Sequence, residues 1–508
     1  MGACAQSIAE PFSKTLTCVE STMEYAETVV AGKKGKVTIA ELESEIGRRG
    51  REFMRTLLEE TIQNLPDAEA ILGIEGEDGV IRLRERTRLR RMRTRFGVIE
   101  YERSGFSAPE SDSIMPKDAS LNMPANGYSF GLQMLVAEEV AKGSFSEAQS
   151  SVKRETGLKI STSQIQAISQ YVSEDFDEFY ASRLTSQTAP KDEIVVMTTD
   201  SKGVVMRKQD LREETRVRAE ESEQKLSKRL SRGEKRNGKR MATVASVYSV
   251  APFPRTAEDF VSELRAVRPV RERPTLTNKR VWASIEKSQP EVIDEACREV
   301  VRRDRLRNRD LVVLIDGQEH QRKCIEETLP KFNLDATIIL DIIHVIEYLW
   351  KAAWCFFAEG TRDAEVWVTE QMVKVLESNA ASVAKGLRIK AGRARLDAEA
   401  AKTIKTVVGY LEKNLPYLDY AHYLKAGYPI ATGVIEGACR HLIKDRMDIT
   451  GARWTLETAE AVLKLRALRS SGDFDEYWGF FELNEQRRNH DDRIRHIIPR
   501  KPNMTRLK

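Results

Sequence analysis

Apolar positions along this chain fall into two patterns, and each predicts its own kind of element. Short continuous runs, the mark of strands buried on both faces, stand at Ile194-Val-Val-Met-Thr-Thr199, Met241-Ala-Thr-Val-Ala-Ser-Val-Tyr-Ser-Val250, Leu311-Val-Val-Leu-Ile315 and Ala336-Thr-Ile-Ile-Leu340. A further extended piece surrounds Lys279-Arg-Val-Trp-Ala-Ser284. Between and after them the apolar residues take helical spacing, over 291–303, 318–331 and 342–357. The order is therefore three strands, helix, strand, helix, strand, helix. Residues 359–431 then read as helical throughout, with runs at 364–379 and 398–413, and a last helix occupies 430–447.

Upstream, the pattern changes. Residues 1–80 read as helices, 39–65 most clearly. Arginines then alternate with Leu83, Leu89 and Met92, as in a strand, and Phe96-Gly97-Val98 turns that strand into Ile99-Glu-Tyr-Glu-Arg103. Pro109, Pro116 and Pro124 punctuate a loop. Helices follow over 130–142 and 145–156. Gly157-Leu-Lys-Ile160 makes a turn, and Ser161 or Thr162 caps a third helix running to about Tyr180. A short glycine-containing turn between two helices is the helix-turn-helix pattern, whose second helix enters the major groove. That would set Ser163, Gln164, Gln166 and Ala167 near base edges; a bundle used only for packing shows the same pattern.

Three acids carry the candidate chemistry. Asp200 ends the first strand run, Asp316 ends the fourth, and Glu436 lies near the start of the last helix. Active sites of α/β folds gather at the carboxyl ends of parallel strands. Two such acids faced by a third can hold two divalent ions about 3.5–4 Å apart, the arrangement for phosphoryl transfer. An Asp after an apolar strand is also a common helix N-cap. Along the last helix, Ile435, Ala438, Cys439 and Leu442 form an apolar stripe, while Glu436, Arg440 and Lys444 share the adjacent face. His320 and His344 follow acids closely and fit supporting roles better than ligation, since magnesium prefers oxygen. Asp341 ends the fifth strand and is the rival to Asp316.

The element order is that of an RNase H-like domain, in which the first and fourth strands are neighbours. With it come several longer blocks: Asp200-Ser-Lys-Gly-Val-Val-Met-Arg207, Leu211-Arg-Glu-Glu-Thr-Arg216, Lys235-Arg-Asn-Gly-Lys-Arg-Met241, Asp316-Gly-Gln-Glu-His320, Asp341-Ile-Ile-His-Val-Ile-Glu-Tyr-Leu-Trp-Lys351, Gly433-Val-Ile-Glu-Gly-Ala-Cys-Arg-His441 and Lys444-Asp-Arg-Met-Asp-Ile-Thr-Gly-Ala-Arg-Trp454. On these blocks nearly the whole chain resembles bacterial insertion-sequence transposases of the Asp-Asp-Glu type, close to the Kra-type branch. Ser201 stands where many relatives would carry glycine.

The resemblance implies an α/β RNase H-like catalytic core with an all-helical insertion, preceded by helical and helix-turn-helix DNA-binding regions and a β-hairpin. Its divisions would be 1–80 (helical), 81–125 (basic hairpin and loop), 126–190 (helix-turn-helix), 191–358 (catalytic, first part), 359–431 (insertion), 432–470 (catalytic, second part) and 471–508 (tail). Asp200, Asp316 and Glu436 would be catalytic and hold two magnesium or manganese ions, with His320, Asp341 and His344 behind them. The implied activity is cleavage at element ends and transfer of a 3′-hydroxyl into target DNA. Two alternatives stay open: a DNA-binding regulator on the same scaffold, and a metal-dependent nuclease that cuts without joining. The implied partners are double-stranded DNA and further copies of the chain, with no membrane, in bacterial cytoplasm. Residues implied to touch DNA are Arg88, Arg90, Gln164, Gln166, Arg236, Lys239, Arg240, Arg440, His441, Lys444 and Arg453.

Charge and composition modify this picture slightly. Over 508 residues the net charge is only +4, so any nucleic-acid footprint must be local. Eight arginines fall within 82–95, eight basic residues against one acid within 225–240, and six arginines within 298–309; such stripes are the footprint of phosphate binding. No apolar run approaches the roughly 20 residues of a membrane span, and Met1-Gly-Ala-Cys-Ala-Gln6 lacks the features of a secretory signal. The cysteines show no Cys-x-x-Cys spacing and read as reduced thiols.

Overall fold

A computed structural model describes residues 11–183, 192–221, 238–265, 271–449 and 451–500. The chain is a mixed α/β protein, 56% helical, and divides into two units: Met1–Phe179 with Phe474–Lys508, and Tyr180–Asp473. No described helix is long and apolar enough to cross a membrane. The five described cysteines are free, and Cys297, Cys324 and Cys439 are buried.

The first unit begins with helices α1 (Ser13–Val30) and α2 (Ile39–Asn64). Thr38 and Glu41 close a capping box at the start of α2. Strands β1 (Ile71–Gly76), β2 (Ile81–Arg82), β3 (Arg84–Thr94) and β4 (Gly97–Ser107) follow. β3 and β4 form a ribbon in register from Arg84↔Ser107 to Thr94↔Gly97. Its apolar face is Met92, Ile99 and Tyr101, packed with Ile62 and Met123, so Arg91 and Arg93, which alternate with Met92, face outward. Two other arginines of the run turn inward: Arg82 of β2 is buried against Asp78, and the guanidinium of Arg90, on the same face as Met92, meets the Asp118 carboxylate at 2.6 Å and the Asn126 carbonyl at 3.2 Å.

Residues 1–80 are thus not helical throughout. β1 pairs antiparallel with the strand Ile494–Pro499, and the segment expected to be a tail also holds the helix Phe474–Asn489. Neither could be read locally, since β1 finds its partner more than four hundred residues away. Helices α3 (Phe130–Lys142), α4 (Phe145–Thr156) and α5 (Thr162–Tyr171) complete the unit. Ser161 caps α5, as expected, in a box with Gln164. The third helix stops at Tyr171 rather than Tyr180. The Tyr477 hydroxyl donates to the Val172 carbonyl at 2.7 Å, and a separate short helix resumes at Phe176–Ser182.

The second unit is built on a five-stranded sheet in the order β7-β6-β5-β8-β9. Its strands are β5 (Ile194–Val205), β6 (Lys239–Val250), β7 (Thr277–Ser284), β8 (Leu311–Ile315) and β9 (Thr337–Leu340). β5 runs antiparallel to β6 and parallel to β8, and β8 runs parallel to β9. Helices α6 (Gln289–Arg303), α7 (Glu319–Thr328) and α8 (Ile342–Ala353) connect and cover these strands. Four more follow without a strand: α9 (Arg362–Leu376), α10 (Ala380–Arg393), α11 (Ala398–Lys413) and α12 (Tyr420–Ala426). The short helix α13 (Gly433–Ala438) carries Glu436, and α14 (Leu456–Ser471) closes the unit.

Asp200 ends the apolar run but not the strand. Pairing with β8 stops at Thr198↔Leu314, while pairing with β6 continues to Val205↔Lys239. Beyond Asp200 the ribbon has lost one flanking strand, so its residues no longer need to be apolar.

Of the six arginines of 298–309, Arg302, Arg303 and Arg309 turn inward, while Arg298, Arg305 and Arg307 are exposed. Burial alone would raise the Glu299 carboxyl, but the guanidinium groups of Arg280, Arg303 and Arg302 outweigh it and hold that carboxyl at about 2. Arg280 and Arg303 bond it at 2.6 and 2.7 Å, and Arg280 also lies 3.5 Å from the Tyr180 ring centroid. Arg309 packs beside Asp304. Only Arg298, Arg305 and Arg307 of this cluster therefore remain open to a phosphate. Glu299→Gln should destabilise the protein by about 3–5 kcal/mol, because it leaves buried guanidinium groups uncompensated. The stabilisation from Glu299 should be complete above the ordinary glutamate value of 4.5 and fall away as pH drops toward about 2. Chemical denaturation of both proteins from pH 6 downward measures the effect, and equal midpoints at pH 6 would refute it.

Candidate active site

The parallel register sets three acids at one level. Thr198↔Leu314, carried on by two residues, places Asp200 opposite Asp316; Ile315↔Leu340, carried on by one, places Asp316 opposite Asp341. The Asp341 amide donates to the Ile315 carbonyl at 2.8 Å, which extends the ladder to that point. Neighbouring strands lie about 4.8 Å apart, so Asp316 occupies the middle of the row. One Asp316 oxygen accepts from the Gln318 amide at 2.8 Å. Gly317, at φ +90, makes the bend: a Cβ there would stand 3.1 Å from the Leu340 and Tyr410 side chains. Tyr410 of α11 donates to the Asp316 carbonyl at 3.3 Å, and Tyr420 donates to the Leu340 carbonyl at 2.7 Å. The helices between α8 and α13 are thereby fastened to these strand ends.

Asp341 is wholly buried and caps α8, accepting from the Ile343 amide at 2.8 Å. Its second oxygen accepts from the Thr432 amide at 3.2 Å and from the Thr432 hydroxyl. Thr432 immediately precedes α13, so one buried carboxylate ties the end of β9 to the helix that carries Glu436. Burial pushes the Asp341 carboxyl up, and the bonds from Thr432 and Ile343 pull against that push.

The expected apolar stripe of the Glu436 helix is present: Ile435, Ala438, Cys439 and Leu442 are buried. The helix does not keep the α period, however. Cys439–Lys444 is a π segment, a form that recurs at functional sites. Arg466 of α14 donates to the Leu442 carbonyl at 3.1 Å within it. The wider turn breaks the four-residue alignment expected for Glu436, Arg440 and Lys444 and buries Ile443 as well. Cys439 points at the sheet, and its thiol donates to Asp200 Oδ2 at 3.1 Å. The other Asp200 oxygen accepts from the Ser201 amide at 2.6 Å. Composition had marked Cys439 only as apolar filling.

Among the described residues, one set of three possible ligands has all its atoms within 4.8 Å of one another: Asp341, His344 and Glu436. Asp200, Asp316 and Glu436 do not reach that mutual spacing. Asp341 and His344, expected behind the ligands, thus stand beside Glu436 in the row itself. His344 Nδ1 lies 3.6 Å from Glu347. His320 is exposed on α7, and its ring contacts Cys324 at 3.9 Å. No hydrogen bond or ion pair to a described residue engages Glu436. Burial, and then the charge of Asp341, raise its carboxyl above the ordinary value. A carboxylate has about four lone-pair positions; three donors occupy Asp341 and leave one position on Oδ1, and both oxygens of Glu436 stay open. The donor set therefore fits one divalent cation, and its imidazole favours manganese or other transition metals over magnesium. A second ion at Asp200 and Asp316 would need Asp200 Oδ2 in place of its thiol contact.

The residues expected on DNA divide in the same way. Arg88, Lys239, Arg440, His441, Lys444 and Arg453 are exposed, and Gln166 is half-buried. Arg440 and His441 lie 3.7 and 3.1 Å from Asp445. Gln164 already spends its amide oxygen on the Ser161 amide at 3.0 Å. Arg240 is turned inward, donating to the carbonyls of Ile285 at 2.8 Å and of Asp210 and Glu286 at 3.3 Å. With Arg90, it is a structural latch rather than an open phosphate contact. Arg236 and most of the 225–240 run lie outside the described residues.

Comparison of the chain with protein-family models gives no match, and neither does comparison with curated proteins. Manganese binding to this group should tighten as pH rises, because a ligand carboxyl raised above its ordinary value must first lose its proton. Glu436→Gln should weaken binding by about tenfold or more, the scale of one lost charge-assisted contact, and His344→Ala should lessen the preference for manganese over magnesium. Titration of the metal-free protein followed by electron paramagnetic resonance gives both numbers; unchanged affinity in Glu436→Gln would remove this group from consideration.

Proposed function

We propose that this chain is a DNA transposase of the Asp-Asp-Glu type, cutting at the ends of a mobile element and joining the freed strand to target DNA. The observation that carries this reading is the row of acids. Asp200 and Asp316 each lie two residues past the last paired position of neighbouring parallel strands, Thr198↔Leu314, and the helix of Glu436 seats on Asp200 through Cys439. The strand order β7-β6-β5-β8-β9, in which β6 alone runs against the other four, supports an RNase H-like reading of this unit. So does the run of helices between α8 and α13, where the resemblance implies an insertion.

Asp200, Asp316 and Glu436, with Asp341 and His344 alongside, would hold magnesium or manganese, which lowers the pKa of water and neutralises charge on a phosphodiester. Two in-line displacements complete the reaction. In the first, a water oxygen bonds to phosphorus and the 3′ oxygen departs with a proton, leaving a 3′-hydroxyl. In the second, that hydroxyl oxygen bonds to a target phosphorus, displacing the target's own 3′ oxygen. One phosphodiester breaks as one forms, so joining needs no outside energy source. Through Thr432, Asp341 keeps Glu436 in line with the strand ends. His344 stands beside it and offers an imidazole nitrogen to the same group. Duplex DNA and further copies of the chain are the partners this reading requires.

Asp316→Asn removes one charge and keeps the shape, so cleavage and joining should both be lost while binding to the element's ends persists. Labelled end DNA incubated with plasmid and manganese tests this. Joined products from the unaltered protein support transposition, nicks alone indicate a nuclease, and binding without cutting indicates a regulator.

Base reading by α5 is tested separately. Gln166→Ala should lower the preference for the correct end over random DNA by about 1–3 kcal/mol. Gln164→Ala would also open the capping box of α5, costing about 1 kcal/mol of helix stability, so Gln166 is the cleaner probe. Competition binding reads the preference, and an unchanged ratio for Gln166→Ala would move specificity away from this helix.

A further inference from the structure

Within the first unit, a cavity of ≈ 330 Å³ opens between the β3–β4 ribbon and the end of the C-terminal helix. Its walls carry Arg90, Arg91, Arg103, Asp118, His490 and Arg493. The floor holds more positive charge than its one acid balances. Arg90 and Arg103 both reach the same Asp118 oxygen, whose other oxygen accepts from the Tyr101 hydroxyl at 3.0 Å. Two guanidinium groups thus share one carboxylate in a largely desolvated place. The buried Nε of Arg103 has no hydrogen-bond partner. Burial, and then the charge of Arg90, push the Arg103 guanidinium down to about 10, as expected where cations crowd.

At the mouth Arg493 is only loosely engaged, 3.5 Å from Asp112 in a pair open to solvent. Arg91 meets Glu100 at 3.4 Å on the opposite, outer face of the ribbon. Exposed pairs of this kind contribute little and exchange readily for a better anion. His490 adds a ring whose Nε2 lies 2.9 Å from the Met123 carbonyl.

We propose that this cavity is a phosphate-binding site, in which Arg103 and Arg493 flank the anion and Arg90 and Asp118 hold Arg103 in place. A phosphate offers acceptor oxygens in several directions, which suits guanidinium groups converging from a strand and a helix end better than a planar carboxylate does. The anion would also relieve the uncompensated charge beneath it. Either free phosphate or the backbone of a nucleic acid has this chemistry. The proposal does not depend on the catalytic reading, because the cavity lies within the first unit and none of the acids above contributes to it.

The test uses the full chain without divalent metal. Isothermal titration with inorganic phosphate and with pyrophosphate, at fixed ionic strength, measures the free anions. Duplex DNA binding across a salt series measures the backbone. Arg103→Gln removes the deep contact; Arg493→Gln alters only an exposed side chain and carries the test if Arg103→Gln does not fold. If the site takes free phosphate, pyrophosphate binds and Arg493→Gln weakens it by about tenfold or more. If it takes nucleic acid, Arg493→Gln lowers the salt slope of DNA binding by roughly 0.9 for the lost contact. The proposal is overturned if neither free anion binds and the slope is unchanged, or if anions bind equally well to the variants.

Discussion

Much of the second unit's geometry hangs on a single buried carboxylate. Asp341 is held where water cannot reach it, and an unpaired carboxylate there would be costly. Donors from two directions make the position tenable: the Ile343 amide at the start of α8, and the amide and hydroxyl of Thr432 just before α13. Since the cost is offset only when both sets of donors are present, the strand end and the Glu436 helix must arrive together. The open oxygens of Glu436, the seating of Cys439 on Asp200 and the π segment behind it all follow from where α13 begins.

A second constraint is the register of parallel strands. Strand pairing moves in whole residues, so three acids just past the parallel-paired stretches of β5, β8 and β9 are either level or displaced by a full step. Here they are level. The central position of Asp316 and the neighbouring place of Asp341 are consequences of strand order rather than of local sequence. That order also explains why Asp341, read along the chain as a rival to Asp316, stands beside it in space.

Arginine content proved a poor guide to open phosphate contacts. Of the three basic clusters, 298–309 spends half its arginines, Arg302, Arg303 and Arg309, on Glu299 and Asp304. In the 82–95 run, Arg82 and Arg90 serve Asp78 and Asp118, leaving Arg88 and its outward neighbours to solvent. A guanidinium that pairs with a buried acid looks the same in sequence as one that faces DNA. The difference lies in partners such as Asp118 and Glu299, which arrive from other elements.

The sequence by itself determined the strands of the main sheet, the order of its elements, the helices of 359–431, the hairpin turn near Gly97 and the cap at Ser161. Each depends on neighbours within a few residues: an apolar run, a helical period, a glycine, a capping side chain. Tertiary structure alone decided what depends on distant partners. It paired β1 with the C-terminal strand, ended α5 at Tyr171 through Tyr477, carried β5 past Asp200 and widened the Glu436 helix into a π segment. It also brought His344 and Asp341 beside Glu436, through a threonine whose position before a short helix carried no mark of that contact. Local physics sets what a segment can become; which of its polar groups go unpaired, and so which remain open for chemistry, is settled only when the segments meet.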